Sequence, residues 1–393
     1  MRRITAHYIF PVNKPPLKYG ILEVDGNGMI TDIIDTGGRL REEFNLEFYP
    51  GIILPGFVNS HCHLELSHLY NRIPAGTGIS SFVDRVTKER FADADEIKKR
   101  IRQRVSQLYK MGTSAVGDIV NTPDTLEAKK SSRIHWHNFV ELFGLKPDDA
   151  KQIWEKGKAL EAEFRKEKLT ATISPHAPYS VSQELWKFFN SNPPEILSMH
   201  SQESSEENEL MTYRKGALND WMKKRGIQTT SLPDPKKSSL ESVLDHLPEV
   251  EKLLLVHNTY TRARDVSIAV KKYGRQKVFW VLCPNSNLYI DNSLPEYIIS
   301  NHEGLQLCLG TDSLASNTSL SLLEEIKTVL ERFPETDLQD VISWATINGA
   351  KALGIDSKLG SFEEGKIPGV VWVDNISHPG PGLTAKSRSR RLI

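Results

Sequence analysis

The sequence predicts a (β/α)8 TIM barrel carrying a small β-sandwich domain formed by both chain ends. Three observations lead there. Eight short apolar runs recur through the middle of the chain, and several end in polar, chemically loaded residues. Helix-like stretches separate many of them, and strands alternating with helices mean βαβ units and a parallel sheet. The two chain ends hold β-type runs that are too small to bury a core alone.

In chain order, Ile4–Phe10, Gly20–Val24 and Met29–Asp35 read as short strands. The last two are joined by Asp25-Gly26-Asn27-Gly28, whose Asn-Gly chemistry suits a tight hairpin turn. The eight barrel runs follow: Gly56–Ser60, Ser114–Ile119, His135–Leu142, Thr170–Ser174, Glu195–Met199, Leu253–Val256, Val278–Leu282 and Leu305–Leu309. Between them, Asp95–Met111, Asp148–Lys168, Glu206–Arg225, Ala263–Tyr273 and Leu320–Phe333 read as helices. Eight units fit a closed barrel better than an open sheet. Gly369–Val373 is a last β-branched run. The expected organisation is therefore residues 1–54 and 356–393 as one composite β domain, and 55–355 as the barrel. Thr229–Ser239, with two prolines and no periodicity, reads as a mobile loop. Lys386–Arg391, with four basic residues, reads as a solvated tail.

Composition narrows the function classes. Fifty Lys+Arg balance fifty Asp+Glu, which argues against nucleic-acid binding by bulk charge and against adhesion to acidic membranes. The longest apolar run, Val278 to Cys283, is far short of the roughly 20 residues that a membrane helix needs. Three cysteines cannot complete a disulfide framework, so a reducing cytoplasm is the expected location. Dimers are the commonest soluble oligomers, which makes a homodimer the first assembly to test.

The chemistry sits at the strand ends. His61-Cys62-His63 closes the first run, and residues two apart on a strand share a face. Both imidazoles then point into one cavity at the C-terminal end of the barrel, where active sites of this fold lie. His200 ends the fifth run, His257 the sixth and Asp312 the eighth. Any one of these reads equally well as a core residue with satisfied hydrogen bonds. Five potential ligands at four strand ends read together as a metal site. Glu203, three residues after His200, is spaced to act as a general acid and base beside that metal. Glu206, Glu207 and Glu209 read as a solvated first helical turn favoured by the helix dipole. Cys62 and Cys283 read as small buried hydrophobes rather than ligands.

The stretch Pro55-Gly56-Phe57-Val58-Asn59-Ser60-His61-Cys62-His63, with His200, Glu203, His257 and Leu309-Gly310-Thr311-Asp312, resembles the amidohydrolase superfamily. More narrowly, it is similar to the mononuclear deaminases of cytosine, guanine, and S-adenosylhomocysteine or adenosine-type substrates. Pro175-His176-Ala177-Pro178-Tyr179-Ser180, Ser286-Asn287-Leu288 and the segment from Ala345 to Gly354 carry the same resemblance. It covers nearly the whole chain. It implies metal ligands at His61, His63, His200 and Asp312, a proton shuttle at Glu203, and His257 polarising the attacking hydroxide. Asp312 would also relay protons. His176, Asn285 and Ser313 would contact substrate. Binuclear relatives carry a carboxylated lysine on the fourth strand. Thr170-Ala171-Thr172-Ile173-Ser174-Pro175-His176 has none, which points to one divalent transition metal per chain, zinc ahead of iron. Cys283 stands where many relatives have histidine. Together with His63-Leu64-Glu65-Leu66-Ser67 it resembles a subgroup containing aminofutalosine deaminases.

The implied activity is hydrolytic deamination of a small aminated N-heterocycle (purine, pterin, pyrimidine or nucleoside-like) with release of ammonia. Hydrolysis of a cyclic amide or a ring halide on the same residues is the enzymatic alternative. A catalytically inactive binding protein on the same fold is the alternative from a different class, opposed by the complete ligand set.

Overall fold

The computed structural model describes residues 1–40, 43–229, 232–233, 235–377 and 380–393. All eight runs read as barrel strands are strands. They are Phe57–Cys62, Thr113–Val120, His135–Leu142, Thr170–Pro175, Ile196–Ser201, Lys252–His257, Val278–Leu282 and Gln306–Leu309. The first four form one parallel sheet and the last four another. Backbone contacts join the two sheets at both seams. His200 N–H donates to His176 O at 2.9 Å, and Thr311 and Asp312 N–H donate to His61 O at 3.0 and 3.1 Å. A parallel bridge between Cys62 and Asp312 closes the circle. The eighth strand can approach the first this closely because residue 310 is glycine: a Cβ there would lie 2.8 Å from His61 Cβ.

The barrel interior is packed rather than open, with Val58, Ala115, Phe139, Val256, Val281 and Cys308 in one buried cluster. A larger apolar layer, including Trp154, Phe164, Trp186, Leu255 and Ile326, lies between strands and helices. The outer helices begin where the sequence supplies caps. Asp93 accepts from the N–H groups of Asp95 and Glu96 at 3.0 Å and starts the helix Ala94–Lys110. No helix among the described residues is long and apolar enough to cross a membrane.

The strands outside the barrel form one seven-stranded mixed sheet that draws on both ends of the chain. Val370–Val373 pairs antiparallel with Leu46–Pro55, which runs parallel to Arg2–Ile9. Leu46–Pro55 is the longest strand of this sheet and was not among the expected runs. Pro50-Gly51 lies in its middle. In the structure Gly51 takes φ 141°, and the register with Arg2–Ile9 shifts there.

Three further expectations change. Glu206–Arg225 is two helices, Ser205–Tyr213 and Gly216–Lys224, because Arg214 takes a left-handed cap with φ 54° and Gly216 follows at φ 88°. The basic tail is not simply solvated. Ser389–Arg391 is an edge strand on Val370–Val373, and Arg391 reaches the barrel. Its guanidinium donates to Tyr109 O, Thr113 O and Ser114 Oγ at 3.0, 2.9 and 2.8 Å. In the loop read as mobile, Thr230, Ser231 and Asp234 lie outside the described residues. Its described part is anchored, with Lys236 N–H donating to Thr212 O at 3.0 Å and Leu232 buried.

Candidate metal centre and active-site cavity

Strand alternation and the closed circle bring the expected side chains to one end of the barrel. His61 Nε2 and His63 Nε2 are 3.2 Å apart, and His63 Nε2 is 3.3 Å from His200 Nε2. Asp312 Oδ1 lies 3.4 Å from His63 Nε2 and 3.7 Å from His61 Nε2. Glu203 Oε1 lies 3.6 Å from His257 Nε2. The backbone is bent to achieve this. His257, Gln202 and Asp312, none of them glycine, sit at φ 75°, 50° and 55° at three strand ends. Such left-handed residues away from glycine are held by their surroundings and concentrate at functional sites.

Hydrogen bonds fix which atoms face the centre. His200 Nδ1 donates to His176 O at 2.8 Å, so its Nε2 carries the lone pair. Asn287 Nδ2 donates to Thr259 Oγ1, so Asn287 Oδ1 is the acceptor 2.9 Å from His257 Nδ1. His257 Nε2, the other ring nitrogen, is buried and without a hydrogen-bond partner. Ser286 and Ser316 hydroxyls both donate to Asp312 Oδ2 at 2.6 Å, leaving Oδ1 to face the histidines.

This donor set fits a divalent transition metal. The ring nitrogens of His61 and His200 lie 3.2 and 3.3 Å from that of His63. A tetrahedral ion about 2.0–2.1 Å from each nitrogen holds neighbouring nitrogens about 3.3 Å apart. His61, His63 and His200 form one compact group, and His61, His257 and Asp312 an overlapping one. Burial holds His61 down to about 3 and His63 well below the usual imidazole value, so both rings are neutral, the ligating form. Burial acts against the Asp312 carboxylate, but His61 and His63 beside it hold it well below the usual range. Burial pushes Glu203 up to about 8, with Asp312 and Glu207 adding to the rise against His200.

A cavity of about 1110 Å³ opens over the centre and is lined by His63, His176, His200, Glu203, Asp312 and Ser313. Its outer part is apolar, with Phe82, Val86, Phe143, Ile153, Trp221 and Met222. Asn285 does not reach it. Asn285 lies in the first turn of the helix Pro284–Asp291, and its Oδ1 accepts from Thr328 Oγ1 at 2.7 Å among the outer helices. The three cysteines are buried and unpaired, Cys62 against Ile101 and Val105 on the helix side. Among the histidines set aside, His137 bonds Thr172 Oγ1 at 2.9 Å and His68 bonds the carbonyls of Glu65 and Arg90. His378 lies outside the described residues.

The profile of the amidohydrolase family matches residues 52–389. The chain belongs to the amidohydrolase family. Among curated relatives, an adenosine deaminase of Helicobacter pylori is 28% identical over 344 residues, covering 84% of this chain and 79% of the relative. Among solved structures, an H. pylori aminofutalosine deaminase in complex with methylthio-coformycin superposes with a TM-score of 0.78 at 23% identity, covering 97% of this chain and 94% of the other. An adenosine deaminase from Xanthomonas campestris with bound zinc superposes with a TM-score of 0.70 at 20% identity, covering 95% and 84%. At these identities the two structures speak for the fold.

Four further residues shape this amidohydrolase site, and sequence reasoning assigned none of them that part. Glu141 ends the third barrel strand, lines the cavity and leaves Oε1 buried without a hydrogen-bond partner. Its strand-end position was the available signal. Glu65 also lines the cavity and accepts from Arg90 at 3.0 Å and from Asn121 N–H at 3.0 Å. Asn287 orients His257. Glu207 is the largest departure. It is fully buried rather than solvated, and accepts from Gln202 N–H at 3.0 Å, Glu203 N–H at 2.9 Å and the Ser239 hydroxyl.

Proposed function

We propose that the protein is a metal-dependent hydrolytic deaminase that replaces the exocyclic amino group of an N-heterocycle by oxygen and releases ammonia. One observation carries this reading. A buried carboxyl group, Glu203, and the His257 imidazole face each other at 3.6 Å beside a group of three convergent histidines and an aspartate. The deaminase relatives supply the reaction class, and the cavity, much larger than a bare base needs, favours a heterocycle carrying a bulky apolar substituent.

His61, His63, His200 and Asp312 would hold one divalent ion, zinc before iron, which when bound supplies Lewis-acid activation of water. Glu203 takes a proton from the attacking water and delivers it to a ring nitrogen, which makes the adjacent carbon electrophilic. Oxygen adds at the carbon that bears the amino group. His257, oriented by Asn287, turns Nε2 to the adding oxygen and hydrogen-bonds it. The remaining proton of the added hydroxyl passes through Asp312 to the amino nitrogen, the C–N bond breaks, and the products are the ring carbonyl and ammonia. Ser286 and Ser316 keep Asp312 turned to the centre throughout. His176 and Ser313, both lining the cavity, contact the ring.

The test is an ammonia-release screen over aminopurines, aminopyrimidines, pterins and adenosine derivatives with zinc-loaded protein. Metal content is measured on the same preparation. Turnover of at least one amine with close to one equivalent of metal is the expected result. Release of chloride or opening of a cyclic amide without any deamination would replace the reading by the hydrolytic alternative.

A further inference from the structure

A fully buried ion pair lies behind the metal centre, outside the catalytic cavity. Asp118, near the end of the second barrel strand, pairs with Lys129, and both side chains are completely inaccessible to solvent. Lys129 comes from the short helix Leu126–Lys130. Its ammonium also donates to Asn138 Oδ1 at 2.6 Å and lies over the rings of Trp136 and Phe164, 5.2 and 5.3 Å from their centroids. The arrangement is expensive in desolvation. Buried pairs of this kind are often replaceable by apolar residues without loss of stability, so stability alone does not account for it.

What the pair does hold is the peptide after His63. Asp118 Oδ1 accepts the N–H of Leu64 at 2.8 Å. Asp118 is also the strand neighbour of Cys62, so it spans the residues on both sides of His63. His63 itself is in neither strand nor helical conformation, with φ −120° and ψ 77°, and the chain turns there into the short helix Leu64–Leu69. No side chain caps that helix at His63, and the Asp118 carboxylate supplies the acceptor instead. Lys129 in turn fixes the carboxylate so that Oδ1 points at the peptide.

We infer that Asp118, held by Lys129, is a positioning residue for the metal centre: it locks the peptide following His63 so that the imidazole enters the cavity at the spacing seen to His61 and His200. The inference rests on the reading of His63 as a metal ligand. It concerns an ion pair that touches neither substrate nor reacting atoms.

The experiment measures zinc affinity by competition with a chromogenic chelator, and thermal unfolding of the metal-stripped protein, for three variants and the wild type. Asp118→Leu with Lys129→Met removes both charges and the acceptor while keeping volume. It should unfold within a few degrees of wild type yet bind zinc about 10–100-fold more weakly, the usual effect of losing a partner behind a ligand. Asp118→Asn with Lys129→Met keeps an acceptor for Leu64 and frees Asn138 Oδ1 to take the new amide. It should bind zinc within about threefold of wild type. Leu64→Pro removes the donor at a helix position that tolerates proline and should weaken zinc as the leucine variant does. It keeps the question open to disproof if the leucine variant fails to fold. Wild-type affinity in the leucine variant or in Leu64→Pro overturns the inference, and so does an equal loss in the asparagine variant. A wild-type protein that binds no zinc sinks the proposed function instead.

Discussion

His257 Nδ1 donates to Asn287 Oδ1 at 2.9 Å, and that one bond decides what His257 can do. It turns the other ring nitrogen, Nε2, toward Glu203 Oε1 at 3.6 Å. A carboxyl oxygen and a ring nitrogen at that distance repel unless at least one carries a proton or a donor sits between them. Burial resolves the conflict by pushing Glu203 up to about 8, so its protonated form persists at neutral pH. A carboxyl group beside an imidazole is a pair that can pass a proton in either direction.

Glu203→Gln should keep the metal and lose most turnover. The amide preserves size and hydrogen bonding but cannot take and redeliver a proton, a role worth about 10²–10⁴-fold. His200→Ala should behave differently and lose metal and activity together, since its Nε2 lies 3.3 Å from that of His63. Metal analysis and turnover on both variants separate the roles. A metal-free Glu203→Gln protein would make Glu203 a ligand, and a fully active one would move the proton shuttle elsewhere.

Glu207→Gln should lower kcat about 10–100-fold with KM and metal content nearly unchanged. Glu207 does not line the cavity. It accepts the N–H groups of Gln202 and Glu203 and so holds a backbone whose Gln202 φ is 50°. Glutamine can satisfy only one of those donors and turns an N–H toward the other. A change in KM equal to that in kcat would indicate general loosening of the cavity instead of displacement of Glu203.

The barrel is legible in the sequence because each strand is a short apolar run and most are flanked by helical periodicity. The candidate site is legible for the same reason: strand alternation and strand ends locate His61, His63, His200, His257 and Asp312. Legibility ends where that regularity ends. Asn285 lies one residue past the start of the helix Pro284–Asp291, where alternation no longer says which way a side chain turns, and it turns outward to Thr328. Glu207 has an ordinary explanation in a first helical turn, and only the folded loop before it reveals two N–H groups in need of an acceptor. Leu46–Pro55 is hidden by Pro50-Gly51, because a bulge and a break look alike in one dimension.

His137 should make the protein acid-sensitive from far below the active site. It is buried with Nε2 2.9 Å from Thr172 Oγ1, and burial holds it down to about 3 against an ordinary value of 6.5. Between those values the unfolded chain binds a proton that the folded chain refuses. Stability is therefore full above about pH 6.5 and falls as pH drops toward 3, by up to ~1.4 kcal/mol per pH unit. Urea midpoints of metal-stripped wild type and His137→Gln across pH 4.5–7.5 give the check, since stripping removes the separate effect of acid on metal binding. The variant starts less stable, and the gap should narrow as pH falls. A constant gap would assign the acid sensitivity to another group.

Arg391 provides the last test, of the expectation that residues 1–54 and 356–393 fold as one unit docked on the barrel. Its guanidinium donates to Tyr109 O at 3.0 Å, Gly112 O at 3.2 Å and Thr113 O at 2.9 Å, around the end of the helix Ala94–Lys110. It also lies over the Tyr109 ring, 4.4 Å from the centroid. These carbonyls lead into the second barrel strand, and Gly112 O also accepts the N–H of Phe57 at the start of the first. Arg391→Met keeps the stem but removes every donor, leaving carbonyls short of partners in a half-buried seam. Hydrogen bonds from a charged group are worth about 1.5–3 kcal/mol in net terms, so a loss of about 2–3 kcal/mol is expected. Lys386→Met, on the exposed part of the same tail, should stay within about 0.5 kcal/mol of wild type. Hydrogen exchange then locates the damage. If the two ends are one unit, Arg391→Met loosens amides in Arg2–Ile9 and Leu46–Pro55 as well as in Val370–Val373, because those strands are hydrogen-bonded in series. Loosening confined to the last few residues would mean that the C-terminal strand is an ornament on an independently stable sheet.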